Sequence, residues 1–264
     1  MSHPNIDKLR SALDALGADA ETRAALDALE AELANATDEK AKFVSVITHE
    51  LRLPMTSIQG YTDLLRQGAM GEINDNQRNF LNVIRANVHR MNALVTSLSD
   101  MTKAEVGRLK LDPATVALRP LVDKAAGAKK EALAEFEQTV DNQVAEGLPN
   151  VLADPQRVQQ VLEHLIDNAA RYADPGGTIT VGAEDKNGSI RITVHDNGYG
   201  IPEEDLPKVF EPFYRSDDQR VRDKHGWGLG LSVCRQLVAL MSGNVGLESR
   251  PGEGTTVWVE LPKA

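Results

Sequence analysis

Between Leu26 and Ile47 the apolar positions recur three and four residues apart: Leu26, Leu29, Leu33, Ala36, Phe43 and Ile47, with Lys40 as the polar member of the series. This alternation leaves little choice of fold. A strand repeats every two residues, so only a long helix can gather these side chains on one face, and a seam of this kind faces a second helix along its length. The spacing therefore predicts a two-stranded coiled coil and a homodimer. The seam continues through Leu51, Ile58 and Leu65 and stops at Gln67-Gly68-Ala69-Met70-Gly71, where two glycines permit a turn. A second helix, capped by Asn74 or Asp75, carries Phe80, Leu81, Ile84, Val88, Met91, Leu94, Val95 and Leu98 on its apolar side. The two form a helical hairpin, which as a dimer becomes an all-α four-helix bundle. Upstream, Ile6, Leu9, Leu13 and Leu16 mark a short amphipathic helix ending at Gly17.

Bulk properties narrow the partners. A formal net charge of −10 without a basic patch excludes a nucleic-acid backbone or an anionic lipid surface as the natural ligand. The single cysteine, Cys234, cannot form an internal disulfide, and it shares an apolar helical stripe with Leu231, Leu237, Val238 and Met241. It reads as a core residue in a reducing, cytoplasmic setting. No run is long and apolar enough to span a bilayer, and no signal-peptide pattern opens the chain. The expectation is a soluble chain, with membrane association only if it is the cytosolic portion of something larger.

After a short linker, residues 105–113, the pattern changes. Asp154-Pro155 is an N-cap followed by proline at the first helical position, and Val158, Val161, Leu162, Leu165, Ile166 and Ala169 line one face of the ensuing helix. Period-two segments at Thr178–Val181, Ile190–Val194, Val245–Leu247 and Thr255–Leu261 read as strands. The expected divisions are residues 1–36 as helix and coiled-coil lead-in, 37–104 as the hairpin domain, 105–113 as linker and 114–264 as an α/β domain.

The hairpin carries an unusual decapeptide, Val46-Ile47-Thr48-His49-Glu50-Leu51-Arg52-Leu53-Pro54-Met55. The helical wheel turns His49 away from Ile47, Leu51 and Ile58, into water. HExxH zinc chemistry fails, because Leu53 stands where the second ligand would be. A neutral imidazole offers a nitrogen lone pair, and Glu50 can hold the proton on the other ring nitrogen, so His49 is a candidate nucleophile and Glu50 its base. Pro54 denies the Glu50 carbonyl its helical donor, which lets the helix bend below the histidine.

The second half holds four spaced clusters. His164, Asn168, Arg171 and Tyr172 lie on the polar side of the helix after Asp154. Asn168 offers a neutral amide oxygen to Mg²⁺, Arg171 suits phosphates, and Tyr172 can stack on a base. Asp196-Asn197-Gly198-Tyr199-Gly200-Ile201-Pro202 follows a strand; its glycines let backbone approach a ligand, and its carboxylate can accept the exocyclic amino hydrogen of adenine where guanine presents a carbonyl. Phe210-Glu211-Pro212-Phe213-Tyr214-Arg215 precedes a charged segment read as a mobile loop, and Gly226-Trp227-Gly228-Leu229-Gly230-Leu231 opens a helix whose amides can receive phosphate. Each cluster alone is common; their order behind an exposed His-Glu-x-x-x-Pro is specific.

From about Lys40 to Leu261 the chain resembles the two-component sensor histidine kinases: the phosphoacceptor box matches Phe43 to Leu65, the N box Asp154 to Tyr172, and the glycine and F boxes the runs just quoted. The resemblance implies a dimerisation and phosphotransfer bundle followed by an α/β sandwich with a mixed sheet, the ATP-binding domain of the gyrase and MutL superfamily. It implies His49 as phosphoacceptor, Glu50 as general base, Asn168 as Mg²⁺ ligand and Asp196 as adenine anchor. It further implies an ATP pocket drawn from Asn168, Arg171, Tyr172, Asp196, Gly198, Gly200, Phe210, Phe213, Arg215, Gly226, Trp227, Gly228, Leu229, Gly230, Leu231 and Thr255. The phosphoryl group would then pass to an aspartate on the receiver domain of a response regulator.

Three positions depart from the family. Leu53 stands where Thr or Asn usually positions water for dephosphorylating the regulator; about 40° round the helix from His49, it cannot hydrogen-bond water. Weak regulator phosphatase activity is expected, the alternative being that Leu53 only pads a docking surface. His164 replaces the first asparagine of the N box, either as a phosphate or proton contact or as a surface substitution. Trp227 is bulky for its place and reads as a lid side chain. His3 and His89 read as solvated, His225 reads as a surface residue or a phosphate contact within the lid, and strand alternation turns His195 away from Asp196. Arg220, Arg222 and Lys224 are candidate lid cations or a solvated loop. Two other classes remain: a non-catalytic dimeric scaffold with a decayed ATP site, and an ATPase clamp of the gyrase or MutL kind.

Overall fold

The computed structural model describes residues 4–15 and 19–264. His3 and Gly17, the expected end of the first helix, lie outside them. The chain divides into two compact units, Met1–Leu109 and Lys110–Ala264.

In the first unit, α1 (Pro4–Ala15) is followed by α2 (Ala20–Arg66), which begins at an Asp19 cap accepting from the Thr22 N–H and continues for 47 residues with Pro54 inside it. No break separates a lead-in from the hairpin at residues 36 and 37. α3 (Asp75–Glu105) starts from a capping box in which Asn74 and Gln77 exchange side-chain to backbone hydrogen bonds of 2.9 and 2.8 Å, which settles the cap on Asn74.

The hairpin does not close on the long seam. The residues of α2 buried in its length are Leu26, Ala41, Thr48, Met55 and Thr62, and the last four are a strict heptad. Met55 packs with Val88 and Val95 of α3 in one apolar cluster. Phe43, Ile47, Leu51, Ile58 and Leu65 remain exposed, as do Phe80, Ile84 and Met91 of α3. The hairpin thus has two apolar faces, one closing α2 on α3 and one, carrying the seam residues, left on the outside. Close approach of two helices favours small side chains between them, so the bulkiest apolar residues fall on the other face. The upper seam is corrected too: Leu26 is buried within the chain, and beside it Arg10 of α1 pairs with Asp27 and Glu30 at 2.8 and 2.5 Å. Lys40, the polar seam member, reaches Glu105 at the end of α3 at 2.9 Å, and Arg108 clasps both oxygens of Asp38.

In the second unit, β1 (Ala114–Val116) pairs with β3 (Val151–Ala153) as an antiparallel ribbon. Between them lie α4 (Leu118–Ala134) and β2 (Thr139–Asn142). The main sheet takes β4 (Thr178–Asp185), β5 (Ser189–Asp196), β6 (Asn244–Arg250) and β7 (Gly254–Pro262) in the order β2-β4-β5-β7-β6, parallel only between β2 and β4. α5 (Pro155–Tyr172) and α7 (Gly230–Leu240) pack with α4 over the sheet, and α6 (Gln219–Arg222) is a single turn in the long loop. The Asp154 side chain accepts from the Gln156 and Arg157 N–H groups, as its place before Pro155 requires.

Burial alternates along β5 and β7, so Ile190, Ile192, Val194, Val257, Val259 and Leu261 meet Val158, Val161, Leu162, Leu165 and Ile166 of α5. This is a two-layer α/β arrangement with a mixed sheet. Cys234 is fully buried in it, and burial pushes its thiol up to about 12, so it stays a core thiol. α7 starts at Gly230, four residues later than the glycine run suggested, which leaves residues 226–229 as loop.

Candidate functional site: an exposed histidine and a glycine-lined pocket

In the first unit the His49 side chain is 69% exposed, and its Nδ1 lies 3.2 Å from Glu50 Oε1. Burial of the preceding Thr48 against the hairpin forces this, since the next residue on a helix lies about 100° further round. In the tautomer that carries its proton on Nδ1, the ring donates to that carboxylate and Nε2 keeps the free lone pair. Leu53 is exposed on the same side of the helix.

In the second unit Asp196 ends β5, where β7 places Thr255 opposite it. Its carboxylate is buried; Oδ1 accepts from the Gly198 N–H at 2.9 Å. Burial pushes the Asp196 carboxyl above its ordinary 3.8, against the downward pull of that N–H and of His195. His195 itself points to the opposite face, with Nδ1 2.9 Å from Thr256 Oγ1.

The loop after Asp196 is packed too closely for side chains at two points. A Cβ on Gly198 would run into the Tyr172 carbonyl, and one on Gly200, whose φ is +68°, would run into the Arg250 carbonyl. Sequence reasoning missed Ser249, which ties this loop to the sheet: its hydroxyl accepts from the Ile201 N–H at 2.9 Å, donates to the Gly254 carbonyl at 2.9 Å and lies 2.8 Å from Thr255 Oγ1. Thr255 is thereby fixed beside Asp196. No local motif announces Ser249; only the strand register reveals it.

α5 brings its polar side to the glycine run. The Asn168 carboxamide is the nearest group to the open side of Gly230, at 3.6 Å from where a Cβ would stand, next to the start of α7. Arg171 lies against Gly226, and its Nη2 donates to Asp167 at 2.7 Å. Lys129 of α4 reaches the other Asp167 oxygen at 3.2 Å. Burial pulls Asp167 upward, but Lys129 and Arg171 outweigh it and hold the carboxyl below its ordinary range. Asp167 and Lys129 were also missed, and they orient Arg171.

The loop residues 210–229 are held by backbone contacts. The Phe213 N–H donates to the Gly228 carbonyl at 2.9 Å, and Gly228, at φ +66°, faces Tyr214 and Phe213 so closely that no Cβ fits. The Arg215 guanidinium donates to the carbonyls of Val221 and Lys224, so it braces the loop from within. Phe213 and Trp227 are exposed, Phe210 and Leu231 half-buried, and Leu229 buried. Arg220 stacks on the Tyr199 ring at 4.4 Å, and the Tyr172 ring meets Tyr199 edge-on at 6.0 Å. Asp196, Asn168, Arg171, Tyr172, Thr255 and the glycines therefore converge on one end of the sheet, where helix N-terminal amides and backbone stripped of side chains suit a phosphorylated ligand.

Residues 39–107 match the His Kinase A (phospho-acceptor) domain, and residues 153–264 match the family described as histidine kinase-, DNA gyrase B- and HSP90-like ATPase. An uncharacterised sensor-like histidine kinase of Rhizobium meliloti is 33% identical over 248 residues, 92% of this chain and 46% of the relative. The circadian input-output histidine kinase CikA of Synechococcus elongatus is 31% identical over 245 residues, covering 92% of this chain and 32% of its own. The chain thus spans less than half the length of these relatives. Among solved structures, full-length ShkA in complex with AMPPNP superposes with a TM-score of 0.69 at 25% identity, over 84% of this chain and 46% of that one. Histidine kinase ThkA in complex with the response regulator protein TrrA gives 0.57 at 25% identity, over 84% and 61%. With a phosphoacceptor domain and an ATPase-type domain in that order, and relatives matched across both, the chain belongs to the sensor histidine kinases.

Proposed function

We propose that the protein is an ATP-dependent histidine autokinase that phosphorylates His49 and hands the phosphoryl group to an aspartate of a response regulator. The observation that carries this reading is the exposed His49 imidazole with Glu50 at its Nδ1, in a chain whose second unit gathers a nucleotide-type site. Nε2 attacks the γ-phosphorus, the bond to the β-γ bridging oxygen breaks, and Glu50 stabilises the proton on Nδ1 as the ring gains positive character. Asp196 receives the adenine amino group, while Arg171 and the amides around Gly226 to Gly230 face the phosphates.

Among the described residues no group of three or more His, Cys, Asp or Glu side chains forms a cage for a metal. A lone amide suits Mg²⁺, which keeps several waters and takes its other oxygens from substrate phosphates, so Asn168 fits as its protein ligand. When bound, Mg²⁺ neutralises charge building on the phosphates.

The exposure of Phe43, Ile47, Leu51, Ile58 and Leu65 on α2, with Phe80, Ile84 and Met91 on α3, supports a homodimer, since a second hairpin would take these large apolar side chains out of water. Residues 105–113 would be the hinge that lets the catalytic domain reach His49. The absence of a hydroxyl or amide at Leu53 supports a kinase with weak phosphatase activity.

Labelled ATP tests the core of this reading. A phosphoprotein stable to base, labile to acid and abolished in His49→Gln, with nucleotide binding and melting temperature retained, is expected. Free phosphate without protein labelling would identify an ATPase clamp, and neither signal a scaffold; either result sinks the proposal.

A further inference from the structure

The upper end of α2 is covered by its own chain. Arg10 of α1 forms salt bridges to Asp27 at 2.8 Å and to Glu30 at 2.5 Å, and Asp14 of α1 pairs with Arg23 at 3.2 Å. The later residue of α1 meets the earlier part of α2, so the two helices run antiparallel. Arg23, Asp27 and Glu30 are spaced four and three apart, and Leu26 falls between them on the same face. Leu26 is 5% exposed, and among the described residues from Ala20 to Lys40 it is the one that is buried.

Leu26 is also the first position of the apolar seam. Leu33, one heptad below it, lies on the same side of α2 and is 46% exposed. The stripe is thus closed by α1 at its top and open further down. A seam residue of a coiled coil inserts between residues of the facing helix, and Leu26 has almost no surface left for that while α1 is in place. The ion pairs that hold α1 are largely exposed, and exposed pairs are weak and screened by salt. The cover is therefore one that a competing helix can displace.

We propose that α1 is a strap that competes with the second subunit for the Leu26 position. Closed, it keeps Leu26 out of the dimer seam; released, it adds Leu26 to the seam at the top of the helix that carries His49. This rests on the homodimer reading. It makes the length of the dimer contact depend on the segment that precedes α2.

Cysteine cross-linking of the full chain reads this competition. Leu26→Cys and Leu33→Cys are oxidised separately with copper–phenanthroline, and the rate of the disulfide between subunits is followed; Cys234 is fully buried and stays out of the reaction. Leu33→Cys should cross-link at least about ten-fold faster than Leu26→Cys, the protection given by a strap that is open about a tenth of the time. Arg10→Glu sets a carboxylate against Asp27 and Glu30, and should bring Leu26→Cys to within about three-fold of Leu33→Cys. Adding Asp27→Arg and Glu30→Arg restores opposite charges and should restore the protection, which separates release of the strap from general damage to the helix. Three results overturn the proposal: equal rates at the two positions without Arg10→Glu, slow cross-linking at position 26 that persists with it, or a charge swap that brings no protection back. No cross-link at position 33 overturns the homodimer reading and the strap together, while fast cross-linking at both positions overturns the strap alone.

Discussion

Asp196→Asn separates what the proposed anchor residue does for ATP from what it does to the fold. Asp196 Oδ1 already accepts from the Gly198 N–H at 2.9 Å, so an asparagine would keep its oxygen there and turn its NH₂ to the position of Oδ2. The adenine amino group would then meet a donor in place of an acceptor. A hydrogen bond to a charged group contributes about 1.5–3 kcal/mol, which corresponds to about 10- to 150-fold in ATP affinity. The nucleotide-free stability should move the other way. Burial raises the Asp196 carboxyl above its unfolded value of 3.8, so the charged form is held at a cost. For a raised carboxyl, full stability is present below the unfolded value and is lost as pH rises through the folded one. A neutral carboxamide carries no such dependence, so the variant's melting advantage should open as pH climbs above about 4 and level off once the buried carboxyl of the wild type is ionised. Nucleotide titration followed by Trp227 fluorescence, with thermal melts from about pH 4 to about pH 8, reads both effects. ATP binding within about three-fold of wild type, or a variant that melts lower at neutral pH, would refute the reasoning.

Two further outcomes follow from the hairpin. Leu53→Thr should raise dephosphorylation of the phospho-regulator by about ten-fold or more, the effect of about 1.4 kcal/mol in positioning one water, while leaving His49 labelling intact; equal rates for both proteins would show that Leu53 is only a docking surface. Ile58→Asp should dissociate the proposed dimer: a buried isoleucine contributes about 1.5–3 kcal/mol, it would occur twice per dimer, and the dissociation constant should rise by about a hundred-fold or more, as sedimentation would show. A wild-type protein that sediments as a monomer would remove the basis for that stripe as an interface.

The candidate nucleotide site was legible because such chemistry demands residue types that mean little elsewhere. Gly198, Gly200 and Gly228 are required where backbone meets backbone, and Asp154-Pro155 announces α5 through the caps it must satisfy. The strands were found where apolar residues alternate, at β4, β5, β6 and β7. β1 and β3, three residues each, are too short to show a period, and β2 spells Thr-Val-Asp-Asn, with a single apolar side chain. α4 was not marked because the middle of the helix, from Lys124 to Lys130 around the buried Ala125, is a run of alanine, glycine and lysine with little contrast between faces. Ser249, Asp167 and Lys129 join the site through strand register and helix packing, relations between distant segments that local patterns do not carry.

The hairpin shows why a strong pattern can point to a different face from the one that packs within the chain. Hydrophobic periodicity weights large side chains, so it found Phe43, Ile47, Leu51, Ile58 and Leu65, all of which stay exposed in this chain. The inner heptad Ala41, Thr48, Met55 and Thr62 holds one large apolar residue in four, and its polar members are half satisfied locally, as in the 2.7 Å bond from Thr62 to the Ile58 carbonyl. Such a face scores as surface in any pattern, yet it sets the rotation of α2 about its axis. Thr48 must point at α3, and His49, one step further, must therefore point outward with Glu50 beside it. The exposure that makes the histidine chemically available is thus fixed by small residues on the inner face, while the bulky outer stripe leaves that rotation unchanged and remains available for the second subunit of the proposed dimer.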